Sequence, residues 1–336
     1  MQRSGILCGV AWCIDSNMTI ATWPPEETVA IVTSEDHQGG CPGHNMSTAL
    51  VKLGAPFPVS AIGLVGDDSH GRKLWQICDD HGIDRSQLEM RKGLATSYVI
   101  AMTASDTGKR TFFSTAGAHA AQTPDDFDFT RSSARILHLG LPGFHEKLDA
   151  PWKDDPSGWV TLLKNAHHAG LKSNLEMASF DAQLIRTIVV PMLPWLDSLI
   201  INDFEAAAIS GQALVEGGTT SPQACRHALE AIMQAHPNLS FGIIHFPHGA
   251  VAMQRNGTVI EQPSVNVPRQ AVVGTNGAGD AFAAGILLGH HEGWPMEKSM
   301  RLAHASAAAS LRAGSTTAAV VNWKECLELA ESWGWR

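Results

Sequence analysis

The chain has 336 residues, 44% hydrophobic and 17% charged, with a net charge of −9. This balance excludes a disordered or low-complexity chain, and the lack of any basic run argues against nucleic acid or an anionic membrane as partner. The length suits an α/β body with an attachment.

Gly5–Ile14 is a continuous apolar run of strand length, as expected of a strand covered on both faces. Asp15 ends it, at the carboxyl end of a strand, where open α/β sheets gather ligands; a solvated turn would also suit an Asp. No small-residue cleavage site closes the run, so Met1–Ile14 reads as a strand rather than a signal peptide. Six cysteines, Cys8, Cys13, Cys41, Cys78, Cys225 and Cys326, lack Cys-x-x-Cys spacing and read as reduced thiols of a cytoplasmic protein.

Ser16–Gln38 holds Trp23-Pro24-Pro25 and then the β-branched Thr28–Thr33, a loop followed by a strand. Thr96–Thr103 and Arg110–Ser114 form a hairpin across Ser105-Asp106-Thr107-Gly108. Neither piece has a helix between its strands, which sets both outside the βα body. Between them, His44–Leu53 is a helix stopped at Gly54, Pro58–Val65 a strand, and Ser69–His81 a helix closed by Gly82. Gly39-Gly40 lies at the joint, where a hinge and a close approach to substrate both need residues without Cβ.

From Ala134 the elements alternate: Ile136–Leu139, Gly158–Ala169, Leu171–Leu175, Gln183–Val190, Ser198–Ile201, Ser221–Ala235 and Phe241–Phe246. Alternation predicts a parallel sheet with helices on both faces. The apolar stretch Ile188–Ile201 is broken by Pro191, Pro194 and Asp197, so no segment spans a membrane. Asn202 and Glu205, at i and i+3 after a strand, read equally as a capping pair or as polar groups offered to a ligand. A hairpin, Val251–Ile260, turns at Asn256-Gly257, and the tail is helical over Met296–Arg312 and Trp323–Trp333. The pairs His167-His168 and His290-His291 are expected at the surface, and no histidine pair has zincin spacing.

Ala271–His290 predicts a strand, a tight glycine loop and a helix. The first turn of a helix has free N–H groups and the positive end of the macrodipole, so a phosphate can sit against Gly277, Ala278 and Gly279. Asp280 stands beside it, and the dipole favours its ionised form. Donors for a transferring phosphoryl group beside a base for a hydroxyl proton are what phosphoryl transfer to an alcohol requires. A helix cap is the plainer reading of the same Asp. No P-loop or dinucleotide fingerprint occurs.

Gly277-Ala278-Gly279-Asp280-Ala281-Phe282 resembles the C-terminal signature of the ribokinase-like (PfkB) carbohydrate kinases. Gly39-Gly40, Asn45 and Leu53-Gly54-Ala55 are similar to the family's N-terminal signature, as is Gly63-x-x-Gly66-Asp67-Asp68 with Gly71 to the pattern after it. The resemblance implies a three-layer α/β/α body with a mostly parallel sheet, residues 1–15, 39–92 and 117–336, and a small β-sheet lid, residues 16–38 and 93–116. It implies transfer of the γ-phosphoryl group of ATP to a sugar hydroxyl, with Asp280 as base and Gly277, Ala278 and Gly279 as the anion hole. Asp15, Gly39, Gly40 and Asn45 would bind the acceptor. Asn202 and Glu205 would serve magnesium through water and the phosphates, and Gly249 and His304 would lie on the nucleotide side. A homodimer through the lid follows if the lid's outer face is apolar.

This chain departs from the family at several points. Gly274-Thr275-Asn276 stands for Asp-Thr-Thr, removing a carboxylate of the monovalent-cation site. Ile244–His248 carries bulkier residues where Thr and Gly meet ATP phosphates. Lys172 and Glu176 stand around Asn174 for Asp and Arg, and His304 stands for an Asn near adenine. A nucleoside kinase, or a non-catalytic sugar-binding or regulatory protein on the kinase fold, are the alternatives these departures leave.

Overall fold

The computed structural model describes residues 3–179 and 181–336. The strands are β1 Ile6–Cys8, β2 Cys13–Ile20, β3 Val32–Gly40, β4 Val59–Gly66, β5 Asp84–Arg91, β6 Ser97–Ala104, β7 Arg110–Thr115, β8 Ile136–Leu139, β9 Lys172–Leu175, β10 Ser198–Asn202, β11 Val215–Glu216, β12 Thr219–Thr220, β13 Phe241–Phe246, β14 Gly249–Gln254 and β15 Val259–Pro263. The helices are α1 Cys41–Leu53, α2 Ser69–Asp80, α3 Ala118–Ala121, α4 Glu146–Asp149, α5 Gly158–His168, α6 Ala182–Leu184, α7 Asp203–Ser210, α8 Pro222–Ala235, α9 Ala278–His291, α10 Met296–Ser310 and α11 Trp323–Trp333.

Nine strands form the main sheet, in the order β15-β14-β13-β10-β9-β8-β1-β4-β5. It is parallel from β13 to β5, with β14 and β15 added antiparallel. Successive strand residues face opposite sides: Ile6, Cys8 and Ile200 join the core under α1, α9 and α10. Leu7, Leu199 and Ile201 join the core under α5 and α8. Both faces are covered, giving the three-layer α/β/α body. Four further strands make a separate small sheet, β3-β2-β6-β7, in which only β2 and β6 run parallel.

The apolar run Gly5–Ile14 is two strands in two sheets rather than one. β1 ends at Cys8 and β2 begins at Cys13, and the link stays buried because Gly9 and Ala11 donate to the carbonyls of His138 and Gly140, while the Trp12 indole donates to Ile62 O. Burial without pairing looks the same in sequence as burial in a strand. Asp15 therefore sits inside β2, opposite Gln38 of β3, and not at the end of a main-sheet strand. Asp15, Gly39 and Gly40 all ride on strands of the small sheet, and β3 starts at Val32, later than the β-branched run suggested.

The expected strand at Ala271–Val273 does not form. A short turn spans Arg269–Ala271, Val273 is 63% exposed, and the Val273 and Gly274 N–H groups are taken by Leu311 O at the end of α10. β5 escaped the sequence reading because an edge strand carrying Asp84, Arg85, Glu89 and Arg91 looks like a solvated loop. Gln183–Val190 winds through a short helix and wider and tighter turns up to Trp195. His291 is buried, not at the surface: its Nε2 accepts the Gly5 N–H at 2.8 Å and its ring lies against Phe57.

Candidate active site

The carboxyl ends of β9, β10 and β13 face the start of α9. Register sets Asn202 beside His245, and Glu176 follows β9 directly. Three spaces meet here. One, about 280 Å³, lies under the small sheet and includes Asp15, Asn17, Asn45, Phe112, Glu176 and Asn276 in its lining. A second, about 180 Å³, includes His138, Glu176, Asn202, Glu205, Gly279 and Asp280. The third, about 590 Å³ and largely apolar, includes Val265, Val267, Phe282, His304 and Leu311 and reaches Gly279 and Thr275.

Gly277 caps α9 with φ of 80°, in the left-handed region, and a Cβ there would lie 2.5 Å from Thr316 Cα, so glycine is required twice over. Ala278 N–H reaches Thr275 O and Ala281 N–H returns to Gly277 O. The N–H groups of Gly279 and Asp280 between them find no backbone acceptor among the described residues, which leaves two donors for an anion.

The helix dipole alone would keep Asp280 ionised. Burial, then the Glu176 carboxyl beside it, outweigh the dipole and push Asp280 well above the usual carboxylate range; Asn45 pulls the other way. One Asp280 oxygen, Oδ1, is buried and has no hydrogen-bond partner among the described residues. Asn45 is buried and fixed, with its Oδ1 accepting from Thr316 at 2.9 Å and lying 3.0 Å from His44 Nδ1.

Asp15 is pushed up to about 6, chiefly by burial, while a hydrogen bond from Cys13 works against this. That thiol donates at 3.4 Å, and Cys41 Sγ lies 2.9 Å from Cys13 Sγ. The glycine pair makes room for the arrangement: a Cβ on Gly40 would lie 2.4 Å from the Asp15 carboxyl, and one on Gly39 would run into the His44 ring at 2.1 Å.

Asn202 and Glu205 close a full capping box on α7: Glu205 N–H donates to Asn202 Oδ1 at 2.9 Å and Asn202 N–H to Glu205 Oε2 at 3.0 Å. Glu205 Oε1 also accepts from Ser179 and from Asn202 Nδ2. Burial raises Glu205 to about 7. With both carboxylate oxygens engaged, a magnesium ion fits through its own waters, which it gives up reluctantly, whereas direct coordination would break the box. His304 is buried on the wall of the large cleft, its Nε2 without a partner among the described residues and its ring against the edge of Phe282. Gly249 opens β14 against Gln262 O and does not line that cleft.

Glu176, His138 and His245 complete the site, and sequence reading did not assign them to it. Glu176 had a signal, since it follows β9 at a carboxyl end, the rule that pointed to Asp15. The histidines had none, because what brings them in is their place on strands in the middle of the main sheet. Arg110 of β7 approaches from the small sheet: its Nη2 would lie 3.4 Å from a Cβ on Gly274.

The model of the pfkB family of carbohydrate kinases matches residues 12–323. The chain belongs to that family. A 5-dehydro-2-deoxygluconokinase of Shouchella clausii is 24% identical over 330 residues, covering 95% of this chain and 93% of that one. The adenosine kinase of Saccharomyces cerevisiae is 25% identical over 282 residues, covering 82% and 77%. Among solved structures, the ribokinase of Arabidopsis thaliana complexed with ribose and ATP superposes with a TM-score of 0.78 at 21% identity, over 98% and 99% of the two chains. That of the nucleoside kinase of Methanocaldococcus jannaschii gives 0.75 at 18%, over 99% of each. These likenesses show the ribokinase fold, and with the family they make this chain a carbohydrate kinase; the non-catalytic alternative is not favoured.

Proposed function

We propose that the protein transfers the γ-phosphoryl group of ATP, as its magnesium complex, to a hydroxyl of a sugar or sugar-like acceptor. The observation that carries this reading is Asp280 at the open N-terminus of α9, in the small cavity that adjoins both the acceptor space and the nucleotide cleft. Asp280 takes the hydroxyl proton, and the Gly279 and Asp280 amides, after the turn at Gly277 and Ala278, hold the charge of the transferring group. Asp15, Gly39, Gly40 and Asn45 bind the acceptor. The nucleotide occupies the apolar cleft beside His304. Asn202 and Glu205 hold magnesium through water, which supplies charge for the phosphates. The loop at Gly274–Asn276 has no carboxylate, so no monovalent cation is assigned a role there. The test is ATP consumption across hexoses, pentoses, sugar acids and nucleosides; consumption with at least one sugar is expected, and binding without turnover across the panel would refute the reading.

In this reading the small sheet, residues 16–38 and 93–116 as the sequence bounds it, acts as a lid. Adjacent residues of β7 face opposite ways, so Phe112 lines the acceptor cavity while Phe113 stacks on Trp23 on the other face. Phe113 and Trp23 are 49% and 47% exposed, an apolar outer face that suits a homodimer through the lid. A dimer by light scattering at micromolar concentration is expected, with Phe113→Ser shifting it toward monomer; a monomeric wild type sinks the pairing. No helix among the described residues is long and apolar enough to cross a membrane, and a cytoplasmic setting with reduced thiols fits the scattered cysteines.

A further inference from the structure

Behind Asp280, hydrogen-bond partners fix where the protons lie. Asn174 Nδ2 donates to the Ser198 carbonyl at 3.3 Å, so its Oδ1 is the acceptor turned toward His138 Nδ1, 2.9 Å away. A flipped amide would set two oxygens against each other. His138 Nδ1 therefore carries a hydrogen. The ring is wholly buried, which drives its pKa down to about 4 and leaves it neutral, so Nε2 presents a lone pair. Glu176 Oε2 lies 3.1 Å from that lone pair. Two acceptors at this distance repel; the contact is a hydrogen bond only when Glu176 supplies the hydrogen.

We propose that Glu176 is a protonated carboxylic acid that donates to His138, and that its neutrality leaves Asp280 free to ionise as the base. This rests on the reading of Asp280 given above. A hydrogen bond also joins the Glu176 and Asp280 carboxyls, and neighbouring carboxyls cannot easily both carry charge, so an ionised Glu176 would draw the proton onto Asp280 and disable it. The groups facing the pair are Asp15 and Cys41 from the acceptor side, Glu205 from α7, His138 from β8 and His245 from β13. No lysine or arginine is among the residues lining the cavity that Glu176 and Asp280 share. The line from Glu176 ends on a backbone carbonyl, so it cannot pass a proton onward; Glu176 is a positioning residue and not a relay. In the transfer, the acceptor oxygen bonds to the γ-phosphorus as the bond to the β,γ-bridging oxygen breaks. The electron pair leaves with ADP, the hydroxyl proton goes to Asp280, and Glu176 keeps its own.

Two measurements test this. In a difference infrared spectrum of the ligand-free protein near neutral pH, Glu176→Gln is expected to remove a protonated-carboxyl stretch that shifts when glutamate is 13C-labelled; a lost stretch that shifts only with 13C-labelled aspartate, or loss of an ionised glutamate band, overturns the proposal. This arm needs no turnover, so it decides the matter even if no acceptor is phosphorylated and the kinase reading fails. In turnover, His138→Phe frees Glu176 to ionise and is expected to move the acid limb of the pH–rate profile to higher pH, leaving turnover about tenfold lower at a fixed pH on that limb. Adding Glu176→Gln to His138→Phe is expected to bring the limb back. A limb unmoved by His138→Phe, or not restored in the double variant, refutes the assignment.

Discussion

Asp280→Asn is expected to lower turnover by roughly 10²–10⁴-fold, the usual contribution of a positioned base, while ATP and acceptor still bind. The amide keeps the size and the place in the first turn of α9, but it cannot take a proton. Burial above all holds the Asp280 pKa well above the usual carboxylate range in the ligand-free site. Sequence alone suggests a weak base held ionised by the helix dipole; burial in the folded site instead makes the Asp280 carboxyl hold a proton more tightly than that. The wild type is therefore expected to lose activity as the pH falls. Steady-state rates for both forms across pH check this, and similar rates would leave Asp280 as only a helix cap.

The second large effect is on acceptor binding. Asp15→Ala is expected to weaken the acceptor by about 1.5–3 kcal/mol for each lost charge-assisted bond, roughly ten- to a hundredfold, while nucleotide affinity is nearly unchanged. Because burial pushes Asp15 up to about 6, acceptor affinity should fall as the pH drops through that value, and this part of the pH dependence should vanish in the variant. Calorimetric titration of acceptor and nucleotide separately would measure both. Unchanged acceptor affinity would place Asp15 in the cavity wall with no role.

What the sequence made legible was whatever local chemistry dictates. Gly277 and Asp280 could be read because a left-handed cap and a first-turn carboxylate leave a local trace, and Gly39-Gly40 because only absent side chains leave space for Asp15 and His44. The small sheet was legible from strands without intervening helices, and the capping form of Asn202 and Glu205 from their spacing. Asp15 was singled out for the wrong structural reason: the run before it is split between two sheets, and apolar residues do not record which sheet they enter. Val272 and Val273 misled because β-branching favours extended backbone even where no strand edge is free to receive it. Glu176 stood at a strand's carboxyl end, but the line it forms with His138 and Asn174 could not be read, because its meaning lies in which atom donates to which across β8, β9 and β10.

The cluster of acids at the carboxyl ends also bears on how firmly the fold holds when the site is empty. Asp15 at about 6 and Glu205 at about 7 bind their protons more tightly folded than their ordinary values of 3.8 and 4.5 would allow when unfolded. The stability each lends is complete below its ordinary value and is lost as the pH rises through its folded one. These groups thus favour the ligand-free fold in mildly acidic solution and withdraw that favour by about pH 7–8. The ligand-free site is thus a strain on its own scaffold above that range, and any ligand that binds the folded site and not the unfolded chain gives part of that stability back, so occupancy and resistance to unfolding rise together.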